Sequence, residues 1–306
     1  MATYIGRRLL QAVVVLFGVS VIVFTLLRLA PSDPITLLLA ETASPQQIAE
    51  ARHALGFDQP IYVQYVIFIT HALQGDLGQS LFYKEPALNV ILRALPMTLW
   101  LGALAFVISV AVALPVGILS AIKRDSLWDY LGVGLALIGQ ATPPYWLGIV
   151  LILLFSVNLK LLPTSGSFGP EYVILPAVTL AAVLMPIVTR LVRSGMLDVM
   201  HEDYVRTARA KGLRERVVVS RHALRNMLIP LVTILGLQLT SLLGGAVIVE
   251  QVFAWPGVGR LAVQAISSRD YPVVQADVLV VSSAFVFMNL LVDVLYAWLD
   301  PRIRVS

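Results

Sequence analysis

The densest chemistry of the sequence lies between Asp198 and Pro230. Seven Lys and Arg residues fall inside this stretch, nine with the flanking Arg190 and Arg193, and strongly apolar runs lie on either side. Its centre reads Tyr204, Val205, Arg206, Thr207, Ala208, Arg209, Ala210, Lys211, Gly212 and Leu213. These residue types suit recognition rather than bond-making. The cations can pair with acids or anionic headgroups, and the small side chains of Thr207, Ala208 and Ala210 let a second surface come close. Met200, Tyr204, Ala208 and Lys211 recur at helical spacing, which predicts one face of a helix. Asp198, Glu202 and Asp203 at its start and bases at its end complement the helix dipole. Gly212 suits the left-handed residue that closes such a helix. Leu213, Val217 and Leu224 predict an apolar face on a second short helix. On residue chemistry alone two readings stand, a hairpin whose bases touch anionic lipid and a handle for another protein.

Other polar residues interrupt apolar runs. Gln140, Thr142 and Gln238 sit mid-run, and Asn289 and Asp293 lie near the inner end of the last one. An unpaired charge at mid-bilayer costs roughly 2.5–3.5 kcal/mol on insertion scales, so such groups face protein or a water-filled path. Interhelical hydrogen bonding or a translocation path are the readings for Gln140, Thr142 and Gln238, and structural packing, subunit contact or a translocation path those for Asn289 and Asp293. A proton relay would need a partner acid or a His chain beside Asp293, and neither is present. The histidines (His53, His71, His201, His222) show no metal-ligand spacing, and there is no cysteine. The sequence has no G-x-x-x-x-G-K-[ST] phosphate loop, no G-x-S-x-G elbow and no H-E-x-x-H pair. The chain therefore reads as neither an enzyme nor a metal protein, with no cofactor of its own.

The elements that must hold these residues are membrane helices. Of the 306 residues 58% are hydrophobic and 13% charged, with mean hydropathy +0.85, whereas soluble domains carry about 25% charged residues. A net charge of +4 and a pI near 9.4 follow from bases gathered in cytoplasmic loops, and no basic-aromatic pattern indicates nucleic acid. Six stretches reach spanning length: Leu9–Ala30, Thr98–Ile122, Tyr130–Asn158, Val173–Val192, Leu228–Val249 and Val278–Leu299. The first is expected to be retained rather than cleaved. The third contains Thr142-Pro143-Pro144, which predicts a break or kink. Six spans place both termini on one side. Fifteen of the 22 Lys and Arg residues then share that side with Asp198–Pro230 and seven lie opposite, which predicts that the richer side is cytoplasmic.

Three outer loops follow from that topology. Residues 31–97 form an external loop with structure of its own. Ser44-Pro45-Gln46-Gln47 predicts a capped helix start and Gly56 its end. Ile61–Leu73 is too short to span, and is expected to pack on the bundle or lie at the interface. Lys160–Tyr172 and Glu250–Asp277 are the other two, the last carrying Phe253–Arg260, which reads as an external turn on its Pro256 and Gly257. The organisation is thus a first span in residues 1–30, the external loop, and a core of five spans in residues 98–306 with the cytoplasmic loop at 198–230.

Tyr204–Gly212, followed by His222-Ala223-Leu224-Arg225-Asn226 and Ile229-Pro230, resembles the EAA loop of permeases of ABC importers. The general motif opens Glu-Ala-Ala. Here Arg206-Thr207-Ala208 stands in its place, as is common in the dipeptide and oligopeptide permease B branch. Further fragments resemble that branch in order and spacing: Leu29–Pro34, Leu55–Pro60, Gly75–Gly78, Trp255–Arg260, Arg269–Pro272 and Asp293–Arg302. The resemblance covers essentially the whole chain. It implies an all-α, six-span permease of the type I importer fold in the bacterial inner membrane. It also implies a second homologous permease subunit, two ATPase subunits that hold ATP and Mg, and an external substrate-binding protein. By the same resemblance the loop carries a coupling helix seated in a groove of the ATPase. Gly212 would set the turn, Thr207 and Ala208 would touch the partner, and Arg206, Arg209 and Lys211 would pair with its acids. The implied cargo is a short peptide, with glutathione, nickel or another small solute as alternatives. An ion-coupled secondary transporter would instead show paired intramembrane carboxylates or inverted repeats.

Overall fold

Long uncharged runs in lipid can satisfy every backbone N–H and C=O within one segment only as helices. The computed structural model describes residues 2–29, 44, 46–47, 50, 53 and 58–299. Among them there is no named strand, and a single isolated bridge joins Gln79 to Pro86. In chain order the helices are α1 (Ala2–Leu29), α2 (Ile61–Leu73), α3 (Ala87–Ile122), α4 (Leu127–Ala141) and α5 (Pro144–Leu151, continued as a π-helical stretch Ile152–Asn158). Next come α6 (Ile174–Met200), α7 (Asp203–Ala210), α8 (Glu215–Val217, continued as a π-helical stretch Val218–Ala223), α9 (Leu224–Val252), α10 (Val258–Ser267) and α11 (Tyr271–Leu299).

Four helical segments are long and apolar enough to cross a membrane: Gly6–Leu29, Ala87–Ile122, Pro170–Met200 and Tyr271–Asp293. The α4–α5 pair would make a fifth. Helix α9, with no charged residue between Leu228 and Val249, occupies the sixth expected stretch. Several boundaries differ from expectation because helices do not stop at the bilayer surface; α1 starts at Ala2 rather than Leu9 and α6 runs to Met200 rather than Val192. Helix α3 begins at Ala87 rather than Thr98, and its 36 residues extend about 54 Å at 1.5 Å each, well beyond the roughly 30 Å hydrocarbon core. Helix α11 begins at Tyr271 rather than Val278.

The expected break in the third run is complete. Helix α4 ends at Ala141, and α5 restarts at Pro144 with the axis bent by 106°. Thr142 (φ −87°, ψ 120°) and Pro143 (φ −62°, ψ 134°) are extended, as a residue preceding proline must be to avoid the ring. Pro144 then begins α5, where no backbone N–H is needed. Tyr130–Asn158 is therefore two helices, not one straight span.

The chain divides into two compact units, Met1–Pro96 with Gly257–Phe287, and Met97–Pro256 with Met288–Ser306. In the first, α2 packs on α1. The rings of Phe24 and Phe68 stack with centroids 5.4 Å apart, Tyr65 meets Phe24 edge-on at 5.4 Å, and the hydroxyls of Ser20 and Tyr65 lie 2.8 Å apart. Ser44 and Gln47 form the expected capping box: Gln47 N–H donates to Ser44 Oγ at 3.3 Å, and Ser44 N–H to Gln47 Oε1 at 2.9 Å. Pro45 and Gly56 lie outside the described residues, as do most of Leu29–Pro34 and the end of Asp293–Arg302. Asp270 is buried and accepts from Ser80 Oγ at 2.5 Å and from the N–H groups of Leu81 and Phe82, both at 3.1 Å. It thereby fixes the turn that follows Gly75–Gly78.

The second unit holds the larger core, with Leu101, Leu180, Leu184, Val188, Met196 and Phe253 among its fully buried side chains. Helices α3 and α6 approach closely at Gly117. A Cβ there would stand 2.7 Å from the Thr189 carbonyl oxygen and from Val192 Cβ. Small residues at such crossings are how membrane helices gain packing without a hydrophobic driving force. The stretch expected as an external loop from Glu250 is internal at its start. Glu250 is fully buried in α9 and accepts from Thr98 Oγ1 at 2.5 Å. Phe253 and Trp255 are buried too, Trp255 Nε1 donating to the Met97 carbonyl at 3.0 Å. Aromatic anchoring explains why Phe253–Pro256 is not a free turn.

Candidate functional site

The loop with the dense cations is short. Helix α6 runs to Met200, His201 and Glu202 turn the chain, and α7 occupies Asp203–Ala210. Met200 therefore ends a different helix from Tyr204, and the single face predicted from Met200 to Lys211 is broken there. The apolar pair at i and i+3, Val205 and Ala208, is buried against Val218, with Val199 and Met200 alongside. Fully burying a Val side chain contributes on the order of 1.5–3 kcal/mol, enough to hold an eight-residue helix that would not be stable alone.

That packing decides which residues can meet a partner. Tyr204, Arg206, Thr207, Arg209, Ala210, Lys211, Gly212 and Leu213 are exposed. Ala208 is 4% exposed; it was expected to be a contact residue, and the structure corrects this, because its position on α7 is one turn from Val205 on the inward face. Thr207 faces out, its hydroxyl donating to the Asp203 carbonyl at 2.9 Å. Gly212 has φ +72° and a Cβ there would meet nothing within 4 Å, so the residue is set by backbone conformation, as expected.

The cations differ among themselves. Arg209 Nη2 lies 2.7 Å from Glu215 Oε1 and Nε lies 3.2 Å from Oε2, a fork-on-carboxylate pairing, with Met200 Sδ 3.8 Å from Nη2. The hydrogen bond from Arg209 holds the Glu215 carboxyl below its usual range, and Glu215 in turn raises Arg209. Arg209 was expected to pair with a partner's acids. In the structure its Nε and Nη2 edge is already on Glu215. Arg206 has only a long contact of 3.4 Å with Asp203, and Lys211 makes no ion pair among the described residues.

The second short helix does not close on itself. Glu215–Val217 continues through the π-helical stretch Val218–Ala223 into α9, with Val217, Val218 and Leu224 all in right-handed helical backbone. The exposed link between α6 and this long helix is thus residues 201–214.

Against this geometry, residues 113–305 match the family described as "Binding-protein-dependent transport system inner membrane component". Residues 1–102 match the model for the N-terminal part of such membrane components. The chain belongs to this family. It is an inner-membrane permease subunit of an ABC importer, and as a permease it is a transporter rather than an enzyme. Over 304 residues it is 45% identical to the glutathione transport system permease protein GsiC of Salmonella typhimurium, covering 99% of both chains. It is 44% identical to GsiC of Escherichia coli K12 over the same share. Among solved structures, the permease fold is similar to one in inward-facing MetNI methionine ABC transporter, with TM-score 0.58, 20% identity, and coverage of 69% of this chain and 96% of that one. An amino acid ABC transporter crystallised with histidines matches with TM-score 0.52 and 17% identity, over 70% of this chain and 94% of that one. At these identities the structures establish the type I importer fold alone.

The polar residues of the permease's apolar runs lie on three elements of the second unit. Gln140 is exposed near the end of α4, and Thr142 is half-buried at the break, its hydroxyl donating to the Ile138 carbonyl at 2.6 Å. Gln238 is half-buried within α9, and Asn289 and Asp293 are half-buried one turn apart on α11. The structure thus brings Asn289 and Asp293 to one face and assigns the Thr142 hydroxyl to its own helix end.

Two acids escaped the sequence reading. Asp129 is buried in the first turn of α4 and takes both Nε and Nη2 of Arg193 on α6. Glu215 holds Arg209. Asp129 carried a signal, an acid one turn into an apolar helix. Glu215 carried none, because an exposed acid among bases is ordinary.

Proposed function

We propose that this permease forms half of a translocation pathway that imports glutathione, delivered from outside by a substrate-binding protein and driven by ATP hydrolysis in separate ATPase subunits. The full-length identity to glutathione permeases carries the cargo reading. It narrows the short-peptide expectation to a particular tripeptide, and ordinary dipeptides are the cargo to test against it. A second, similar permease completes the pathway, and both termini lie in the cytoplasm on the side richer in Lys and Arg.

Residues 201–214 dock on the ATPase. The observation behind this is an eight-residue helix pinned inward by Val205 and Ala208 that presents Tyr204, Thr207, Arg206 and Lys211 outward. Closure of the ATPases on ATP then moves α6 and the α8–α9 helix as rigid elements between inward- and outward-open states. Gln140, Gln238, Asn289 and Asp293 are the candidates for lining the path.

Uptake of radiolabelled glutathione and of dialanine by cells with and without the chain tests this. Glutathione uptake that stops on ATP depletion and survives collapse of the proton gradient is the expected result. Uptake of dialanine alone would move the cargo, and uptake lost with the gradient would overturn the ATP-driven reading.

A further inference from the structure

We infer that Glu215 is a positioning residue of the docking loop, and that Arg209 acts through it to brace α7 rather than reaching the partner. The inference rests on the docking reading above and refines it. The Arg209 guanidinium touches the ends of three helices. It belongs to the last turn of α7, it pairs through Nη2 and Nε with Glu215, the first residue of α8, and it stands 3.8 Å from the sulfur of Met200, the last residue of α6.

Covalently those three ends are joined by two short links, His201–Glu202 and Lys211–Arg214. The second turns through the left-handed backbone of Gly212 (φ +72°), beside which a Cβ would find open space. That turn is held by its own backbone, Gly212 N–H donating to the Arg209 carbonyl at 2.9 Å and Leu213 N–H to the Ala208 carbonyl at 3.4 Å. The buried Val205–Ala208 face holds α7 to Val218, with Val199 and Met200 alongside. A fork-on-carboxylate pair fixes both distance and plane, and it adds a side-chain tie from α7 directly to α8. Any push on the outer face of α7 is then delivered to α6 through Met200 and to the α8–α9 helix through Glu215 at the same time. The arrangement also separates the cations by task. Arg206 and Lys211 face outward for recognition, and Arg209 is internal to the loop.

The pair is partly open to water, with side chains 41% and 51% exposed. Its loss therefore shifts the population of the braced loop by about fivefold at most, the effect of a pair worth about 1 kcal/mol. The chain remains folded, and the orientation of α7 changes.

The test uses the complete transporter and the cysteine-free chain. A spin-label pair at Thr207→Cys and Ser194→Cys, measured in the purified transporter, reports the orientation of α7 on α6. Crosslinking of Thr207→Cys to a groove cysteine on the ATPase reports docking. R209E and E215A are each expected to broaden the distance distribution and to lower crosslinking about two- to fivefold. The exchanged pair R209E/E215R is expected to restore both. E215A with an unchanged distance distribution overturns the brace whether or not the loop docks. An exchanged pair that recovers the distance but not the crosslink overturns the assignment of Arg209, because it places that residue against the partner. If the unsubstituted loop never crosslinks, the docking reading fails on its own, and the distances still judge the brace.

Discussion

Arg193 lays its guanidinium across the Asp129 carboxylate, with Nε 2.6 Å from Oδ1 and Nη2 2.7 Å from Oδ2. The backbone N–H of Asp125 reaches Oδ2 at 3.1 Å. The Asp129 side chain is 4% exposed and that of Arg193 27%. Helix α4, the first half of the broken pair, is therefore pinned by its starting turn to α6, the helix that leads directly into residues 201–214.

Breaking a buried pair leaves one charge uncompensated, which costs more than losing the pair's attraction. R193A, which strands the buried Asp129, should destabilise the permease by about 3 kcal/mol. D129N keeps the shape and should cost less. Thermal aggregation midpoints in detergent check this ordering. Equal, small shifts for the two variants would show that the pair is ornamental.

Gly117 makes a second testable contact with α6, this time from α3. With a Cβ 2.7 Å from the Thr189 carbonyl, the neighbour that must move is backbone. G117A should cost about 1–3 kcal/mol, the usual penalty of overpacking. G102A, on the same helix with open space at its Cβ, is the control and should be neutral or slightly stabilising. The same midpoint assay, run on both, distinguishes close packing from a general dislike of change in α3.

Much of this architecture is legible in the residues, and the failures share a cause. Uncharged runs gave the spans, because hydropathy is a local property. Pro143 and Pro144 announced the break at Thr142, and Gly212 announced its own left-handed φ, since both follow from backbone sterics. The face of α7 was misread because Met200 was counted into its helix, although the turn at His201 and Glu202 separates them. The inward place of Ala208 comes from its packing beside Val205 against Val218, whereas the resemblance implied a partner contact there. Asp129 meets Arg193 across 64 positions, Thr98 meets Glu250 across 152 and Ser80 meets Asp270 across 190. No spacing rule reaches so far. Arg209 was assigned to a partner because a sequence does not show that Glu215 folds back onto it.

Gly212 supplies a direct probe of the loop turn. At φ +72° a residue with a Cβ is strained by roughly 1–2 kcal/mol, and a β-branched one by more. G212V should insert normally and lose most uptake, G212A should lose part, and G212N should keep most, since Asn tolerates the left-handed region. Uptake with chain abundance measured by immunoblot separates these. Normal uptake by G212V would remove the turn from the account.

The Arg209–Glu215 pair predicts a pH response whose sign is fixed. Glu215 has a folded-state value below its ordinary 4.5. Its contribution is therefore complete above 4.5 and lost as pH falls through the lowered value. The orientation of α7, read by the same spin labels, should be flat from about pH 8 to 5 and broaden only below that range. E215Q should remove the response. A broadening centred near neutral pH would assign it to a histidine instead.

The central claim is that residues 201–214 seat on an ATPase subunit through the outer face of α7. Cysteine crosslinking in native membranes tests it most directly, with Thr207→Cys on the outer face and Ala208→Cys on the buried face as its internal control. The account predicts an ATP-sensitive crosslink from position 207 to the ATPase groove and little or none from position 208. Equal crosslinking from both positions, or none from 207 with both proteins present and the thiol reactive, would contradict it and return the loop to the lipid surface.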